Sequence, residues 1–281
     1  QLSLQPLAGW YGADWRVNST DMLQFTHANT GQLLLNNTVF SPSLQLQAAA
    51  TGAQQWQFSI KRADDAYSRY AIDNNSRNVG MALSNIASSP SAPMKKLLST
   101  LDFSAANGSD IQTALPQLSP QSYSMLLSHG LKQEQRYSEA LLGTSMRSLQ
   151  MSPDWDEQRI FVLPLAFDTS FNQRDNQLAY DSSGSGMLLG AETDVQDRAW
   201  NMGVHAALSK SDLDGKSFNV AGKAQSYGVG VHARYAPLEN QGMWVNGLLR
   251  LSYHQDELKR NVHFADYGTQ HTGKRSGWNG V

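Results

Sequence analysis

Cysteine is absent from the 281 residues. That excludes disulfides, thiolate metal sites and a cysteine nucleophile, and it suits a chain that passes through an oxidising compartment such as the periplasm. Long apolar runs are absent too. The longest, around Phe161–Phe167 with Ile160 before it, is far short of the about 20 residues a membrane helix needs. A membrane β-barrel escapes this exclusion, because its strands are apolar on one face only. No block of like charge occurs: 22 Lys and Arg stand against 24 Asp and Glu, a net charge of −2, so no nucleic-acid partner is expected. The chain opens at Gln1 without a methionine or a signal peptide, and reads as a mature or excised piece. Its length leaves room for two domains.

Residues 1–72 are rich in Gln, Asn, Ser and Thr, with short β-like runs at Met22–Thr26, Gln32–Phe40, Leu44–Gln47, Gln55–Lys61 and Ser68–Ile72. Turn residues separate them, a spacing that suits the end of a β-solenoid or a small β-sandwich. Residues 73–118 change period. Val79, Leu83 and Ile86, then Met94, Leu97, Leu98 and Leu101, then Ile111, Leu115 and Leu118 recur at helical spacing, and Pro- and Gly-bearing breaks divide them into short connector helices. Residues 119–150 read as one long helix. Ser119 is expected at its N-cap and Pro120 at its first position. Tyr123, Leu127 and Leu131 lie four apart on one face, and Tyr137 and Leu141 repeat the interval. Gly130 and Gly143 each weaken the interior by roughly 1 kcal/mol relative to Ala, and are expected to give clearance against a surrounding wall.

From residue 151 to 281 the period falls to two. Trp200, Met202, Val204, Ala206 and Leu208 face one way, with Asn201, Gly203, His205, Ala207 and Ser209 opposite. Tyr227, Val229, Val231, Ala233 and Tyr235 oppose Gly228, Gly230, His232 and Arg234. Leu249, Leu251 and Tyr253 oppose Arg250, Ser252 and His254, and Leu189 and Ala191 oppose Glu192 and Asp194. Phe161, Leu163, Leu165 and Phe167 form an apolar face in the first strand, although Ile160 and Val162 blur its other side; Leu248 is a further departure. A soluble sheet with one wet face alternates as well. Three features favour a membrane barrel: the apolar faces end in aromatic residues, the polar faces are small, and long connections (172–184, 211–223, 255–273) alternate with short ones (Gln196–Arg198, Pro237–Gln241). On this reading Trp200, Met202, Val204, Leu208, Tyr227, Val229, Val231, Tyr235, Leu249, Leu251 and Tyr253 face lipid, and Glu192, Asp194, His205, His232, Arg234 and Arg250 face the lumen. The stretch from Gly277 looks like the start of a sixth strand. Barrels of this kind have eight strands or more, so the chain is expected to be truncated.

Three stretches resemble the C-terminal part of the monomeric autotransporters, the type V secretion proteins of Gram-negative bacteria. Asn74–Leu83 resembles the start of that family's helical segment. Leu115–Tyr123 resembles its Leu-x-x-Leu-Ser-x-Glu-x-Tyr segment, with Gln121 in place of the acid. Ser185–Glu192 together with Gly203–Leu213 resembles its early barrel strands. The resemblance covers roughly residues 55–281 and implies a barrel with a linker helix in its pore, inserted in outer-membrane lipid by the barrel assembly machinery with periplasmic chaperones. It further implies a passenger exported to the cell surface, of which residues 1–72 are the tail. The first strand, without the family's usual Trp and Gly-rich start, departs from the pattern.

The fold class expected is therefore mostly β: a partial membrane β-barrel at 151–281 with a pore helix at 119–150, preceded by a connector at 73–118 and a β-rich passenger tail at 1–72. The expected function is an outer-membrane translocator that anchors and exports its own passenger. The alternatives are another outer-membrane barrel of porin or adhesin type with an N-terminal plug, or the translocator of a passenger enzyme, a serine protease or esterase, whose active site lies upstream. No catalytic, cofactor or metal residue is assigned. Gly143-Thr144-Ser145-Met146 matches the start of a subtilisin-type nucleophile motif, but Arg147 breaks the match and no suitable His base precedes it. His254, Asp256, Glu257, His263, Asp266 and His271 crowd the last long connection, where such residues are ordinarily solvated rather than ligating.

Overall fold

A computed structural model describes residues 6–18, 40–52, 55–151, 158–172, 178–195, 200–217, 219–235 and 245–281, and for 144–151 the backbone alone. The expected strand Met22–Thr26, the strand Gln32–Phe40 up to its last residue, and the turns Gln196–Arg198 and Pro237–Gln241 lie outside the described residues. The chain divides into two compact units. One comprises Gln1–Ser119 with Val262–Thr269, the other Pro120–Asn261 with Gln270–Val281.

The first unit opens with three antiparallel strands, β1 (Arg16–Asn18), β2 (Leu44–Gly52) and β3 (Gln55–Arg62), in the order β1-β3-β2. Ser68–Ile72, read above as a strand, holds a 3-10 turn at Ser68–Tyr70. The chain there leads from β3 into the helices, and among the described residues it has no strand to pair with. Then come α1 (Asn74–Ile86), α2 (Ala92–Asp102) and α3 (Ser109–Leu118). Asp73 caps α1 by accepting from the Ser76 amide at 2.6 Å, and Pro93 sits in the first turn of α2, where its missing N–H costs nothing. The apolar positions Leu83, Leu97, Leu98, Leu101, Ile111 and Leu115 are buried in one core, as their spacing implies, whereas Ile86 is exposed. Asp102, fully buried at the end of α2, accepts from Ser43 Oγ at 2.6 Å and Tyr67 Oη at 2.8 Å and pairs with Arg62. One carboxylate thus joins the sheet to the helices. Burial, and then the neighbouring carboxylate, push the Tyr67 phenol well above its ordinary range. Burial opposes the charge of Arg62, yet Asp102 more than offsets it and raises the guanidinium.

The second unit holds α4 (Gln121–Met151) and most of an open antiparallel sheet in sequential order: β4 (Gln158–Phe171), β5 (Tyr180–Val195), β6 (Trp200–Gly215), β7 (Val220–Tyr235), β8 (Val245–Phe264) and β9 (Tyr267–Gly280). The helix begins one residue later than Pro120, its expected first position. Ser119 is extended (φ −64°, ψ 142°) and closes α3, because a residue before proline avoids helical backbone. The strands outrun the expected ones. Most of 211–223 and 255–273, read as long loops, is strand, the last connection being the two residues between Phe264 and Tyr267. Gly277 stands near the end of β9, not at the start of a strand. Alternation was lost to view there because the outward residues become polar while many inward ones already are, as at Lys210, Asp212 and Asp214 opposite Ser209 and Ser211.

Candidate functional site

The six strands present two chemically distinct faces. On one, cross-strand rows run level with each other: Trp200 beside Tyr235 and Val195, Val204 beside Val231 and Ala191, Leu208 beside Tyr227 and Met187, and Tyr227 beside Tyr253. Met202, Val204, Leu208, Tyr227, Val229, Val231, Leu249 and Leu251 are all exposed there, and Trp200, Tyr235 and Tyr253 are half-exposed. Trp200 and Tyr235 meet tilted at 4.8 Å between ring centroids, and Tyr253 meets Trp278 at 5.1 Å. Beyond this apolar band the same face turns polar, with Lys210, Asp212 and Asp214 on β6 and Lys223 on β7. From Trp200 to Leu208 is about 26 Å along the strand, or about 20 Å in height at a tilt near 40°, close to the apolar girdle of outer-membrane barrels.

Against the other face lies α4, and its contacts fall in layers. Near its start Met125 and Leu126 pack with Tyr180, Leu213, Val220 and Leu258. A polar layer follows. His129 Nδ1 lies 3.2 Å from Ser182 Oγ. The Glu134 carboxylate stands 3.0 Å from Arg250 Nε and 3.4 Å from His254 Nε2, and Arg250 also donates to the Glu134 carbonyl and to Ser138 Oγ, each at 3.1 Å. Its guanidinium sits 5.0 Å from the centre of the Tyr137 ring. Below that, Tyr137 and Leu141 pack with Leu188 and Ala207, with Phe161, Leu163, Leu165 and Leu248 around them. The helix therefore runs from the end of the sheet that holds the 171–180 and 215–220 connections toward the end where β4 begins.

Of the six polar residues picked out above, Arg250 meets α4. The others gather beyond the lower apolar layer. His232 Nε2 lies 3.1 Å from Glu192 Oε1, the two imidazoles of His205 and His232 approach to 3.3 Å, and Arg159 pairs with Asp194 at 3.0 Å. Asn201 donates to Asp194 at 2.9 Å. Arg234 is buried on the same face. The sequence reading missed Glu134, His129 and Ser182 as members of the site. On a helix read by its apolar stripe Glu134 and His129 look like the wet side, and Ser182 lies on β5.

Four expectations are corrected by this geometry. Tyr123, Leu127 and Leu131 are exposed. The buried stripe is Ser122, Met125, Leu126, His129, Gln133 and Tyr137, because the sheet face it meets is itself polar. An added Cβ at Gly130 or Gly143 would meet nothing within 4 Å among the described residues, so neither gives clearance against these strands. The Phe161–Phe167 face of β4 is turned toward the helix, and Ile160 and Val162 look outward. Leu248 joins the same inner cluster. Finally, the glycines of the polar face make room for rings on adjacent strands: a Cβ at Gly203 would lie 2.4 Å from His232 Cε1, and one at Gly230 2.7 Å from His205.

His254, Asp256 and Glu257, read as a sequence cluster, are spent on separate ion pairs with Glu134, Arg275 and lysines 259 and 274. The Gly143–Met146 stretch lies within α4; apart from Gly143, its side chains lie outside the described residues. No described helix is long and apolar enough to cross a membrane, which says nothing of a crossing by strands. Residues 164–280 match the family model of the autotransporter beta-domain. No curated protein and no solved structure matches the chain.

Proposed function

We propose that this chain, whose residues 164–280 match the autotransporter beta-domain, is an outer-membrane translocator for a passenger, with the following division of labour. Residues 151–281 are the barrel wall. The eleven outward residues from Trp200 to Tyr253 contact lipid, and Glu192, Asp194, His205, His232, Arg234 and Arg250 line the lumen. Residues 119–150 are the linker that occupies the pore, entering from the cell surface. Residues 73–118 connect it to the end of the passenger at 1–72, outside the cell. Barrel assembly machinery and periplasmic chaperones deliver the protein, and any enzymatic activity belongs to the passenger.

The observation that supports this reading best is the outward band: an exposed apolar stretch about 26 Å long along the strand, begun and ended by aromatic rows and followed by charge. A soluble sheet that exposed so large a patch would aggregate. Expression of the chain with an outer-membrane signal tests it. The expected result is extraction from membranes only with detergent, together with digestion of residues 1–118 by protease added to intact cells. Recovery as a water-soluble monomer overturns the reading.

A further inference from the structure

The polarity of β8 inverts along its length. Its inward positions are polar at Arg250, Ser252, His254 and Asp256, then mainly apolar at Leu258, Val262 and Phe264 with the half-buried Arg260 among them, while its outward positions become Glu257, Lys259 and Asn261. The far end of the β8–β9 hairpin thus has the pattern of a water-soluble sheet, polar outside and apolar inside. Something must cover that inner face. The core of the α1–α3 bundle includes Val262 and Phe264, 1% and 3% exposed, with Tyr267 packed against it and stacked on Phe264 at 5.1 Å. Gln117 of α3 clasps the tip's backbone in both directions: its Nε2 donates to the His263 carbonyl at 3.0 Å, and its Oε1 accepts from the His263 amide at 2.8 Å. Ala265, at φ 44°, makes the tight reversal.

We propose that the β8–β9 tip is the docking site of the connector helices and that α1–α3 hold their fold only while it is docked. A bundle of about 45 residues is near the lower limit for a self-sufficient core, and this one is completed by Ala66 and Tyr67 ahead of it as well as by the hairpin tip. Two of this bundle's buried apolar side chains come from more than 140 residues further along the chain. The helices can therefore close only once residues 74–118 and the hairpin tip are on the same side of the membrane. On the orientation proposed above, the bundle becomes a seal that forms last, outside the cell, and holds the passenger-proximal chain at the hairpin.

Hydrogen exchange on the full chain in detergent tests the docking without reference to cellular location. Val262→Ala with Phe264→Ala is expected to speed exchange in α1–α3 about tenfold or more, with the β5–β7 amides unchanged. If the double variant loses its sheet, Gln117→Ala, which removes both bonds to the tip, decides by the same criterion. Unchanged exchange in α1–α3, beside an intact sheet, overturns the proposal. Loss of the apolar band's detergent requirement would instead count against the translocator reading alone.

Discussion

At Glu134 the helix and the sheet meet through charge. The carboxylate and the Arg250 guanidinium are 4% and 1% exposed, so neither can return to water if its partner is lost. Glu134→Ala is expected to cost about 3–5 kcal/mol, most of it from the stranded arginine. Replacing both residues by methionine is expected to restore most of that loss. The readout is the temperature at which the folded chain loses its fast-migrating band in SDS gels. The small residues matter in a different way. A Cβ at Gly203 would lie 2.4 Å from His232 and 2.7 Å from the Ala191 carbonyl. The imidazole can swing but the carbonyl is held in the ladder, and Gly203→Ala is expected to destabilise by about 1–3 kcal/mol in the same assay.

Among the elements, β6 and β7 state the lipid hypothesis most clearly. Val231 lies in the middle row of the apolar band and Tyr235 in its end row. In a bilayer a lysine costs about 2–4 kcal/mol at mid-depth and about 0–1 near an interface. Val231→Lys is therefore expected to depress the folded fraction in lipid vesicles far more than Tyr235→Lys. Equal losses at the two positions would remove the case for a lipid face. The helix is legible only in part. Its existence, length and the pair Tyr137 and Leu141 follow from its sequence. Its buried side does not, since the apolar stripe Tyr123–Leu127–Leu131 is exposed while His129, Gln133 and Glu134 are buried. Helical periodicity finds the apolar face; a partner surface lined by Ser182, Arg250 and His254 selects another.

On the scale of the whole molecule, the two units have separate cores, and one mutation should separate them. Asp102 is fully buried and joins β2, β3 and α2 through Ser43, Arg62 and Tyr67. Asp102→Ala leaves Arg62 without its partner and is expected to cost the first unit about 3–5 kcal/mol. Limited proteolysis of the detergent-solubilised chain should then cut within 74–118 while the β4–β9 sheet keeps its heat-sensitive mobility. Simultaneous loss of both would mean a single cooperative unit.

The sequence by itself determined that residues beyond 151 form two-faced strands, that 73–118 form short helices and that a long helix lies between. These are local matters: side chains alternate along any strand and recur every 3.6 residues along any helix, whatever surrounds them. Tertiary structure decided where the strands stop, because beyond the apolar band the outward face becomes polar while the inward one mixes Ser209 and Ser211 with Leu213, so the period fades from the sequence while the backbone ladder continues. It decided that Phe161, Leu163 and Leu165 turn inward, since α4 supplies an apolar partner there, and that Glu134 meets Arg250. It also decided that Val262 and Phe264, in a stretch that reads as loop, complete the core of helices far earlier in the chain. Contacts of that separation leave no mark on any single window of residues.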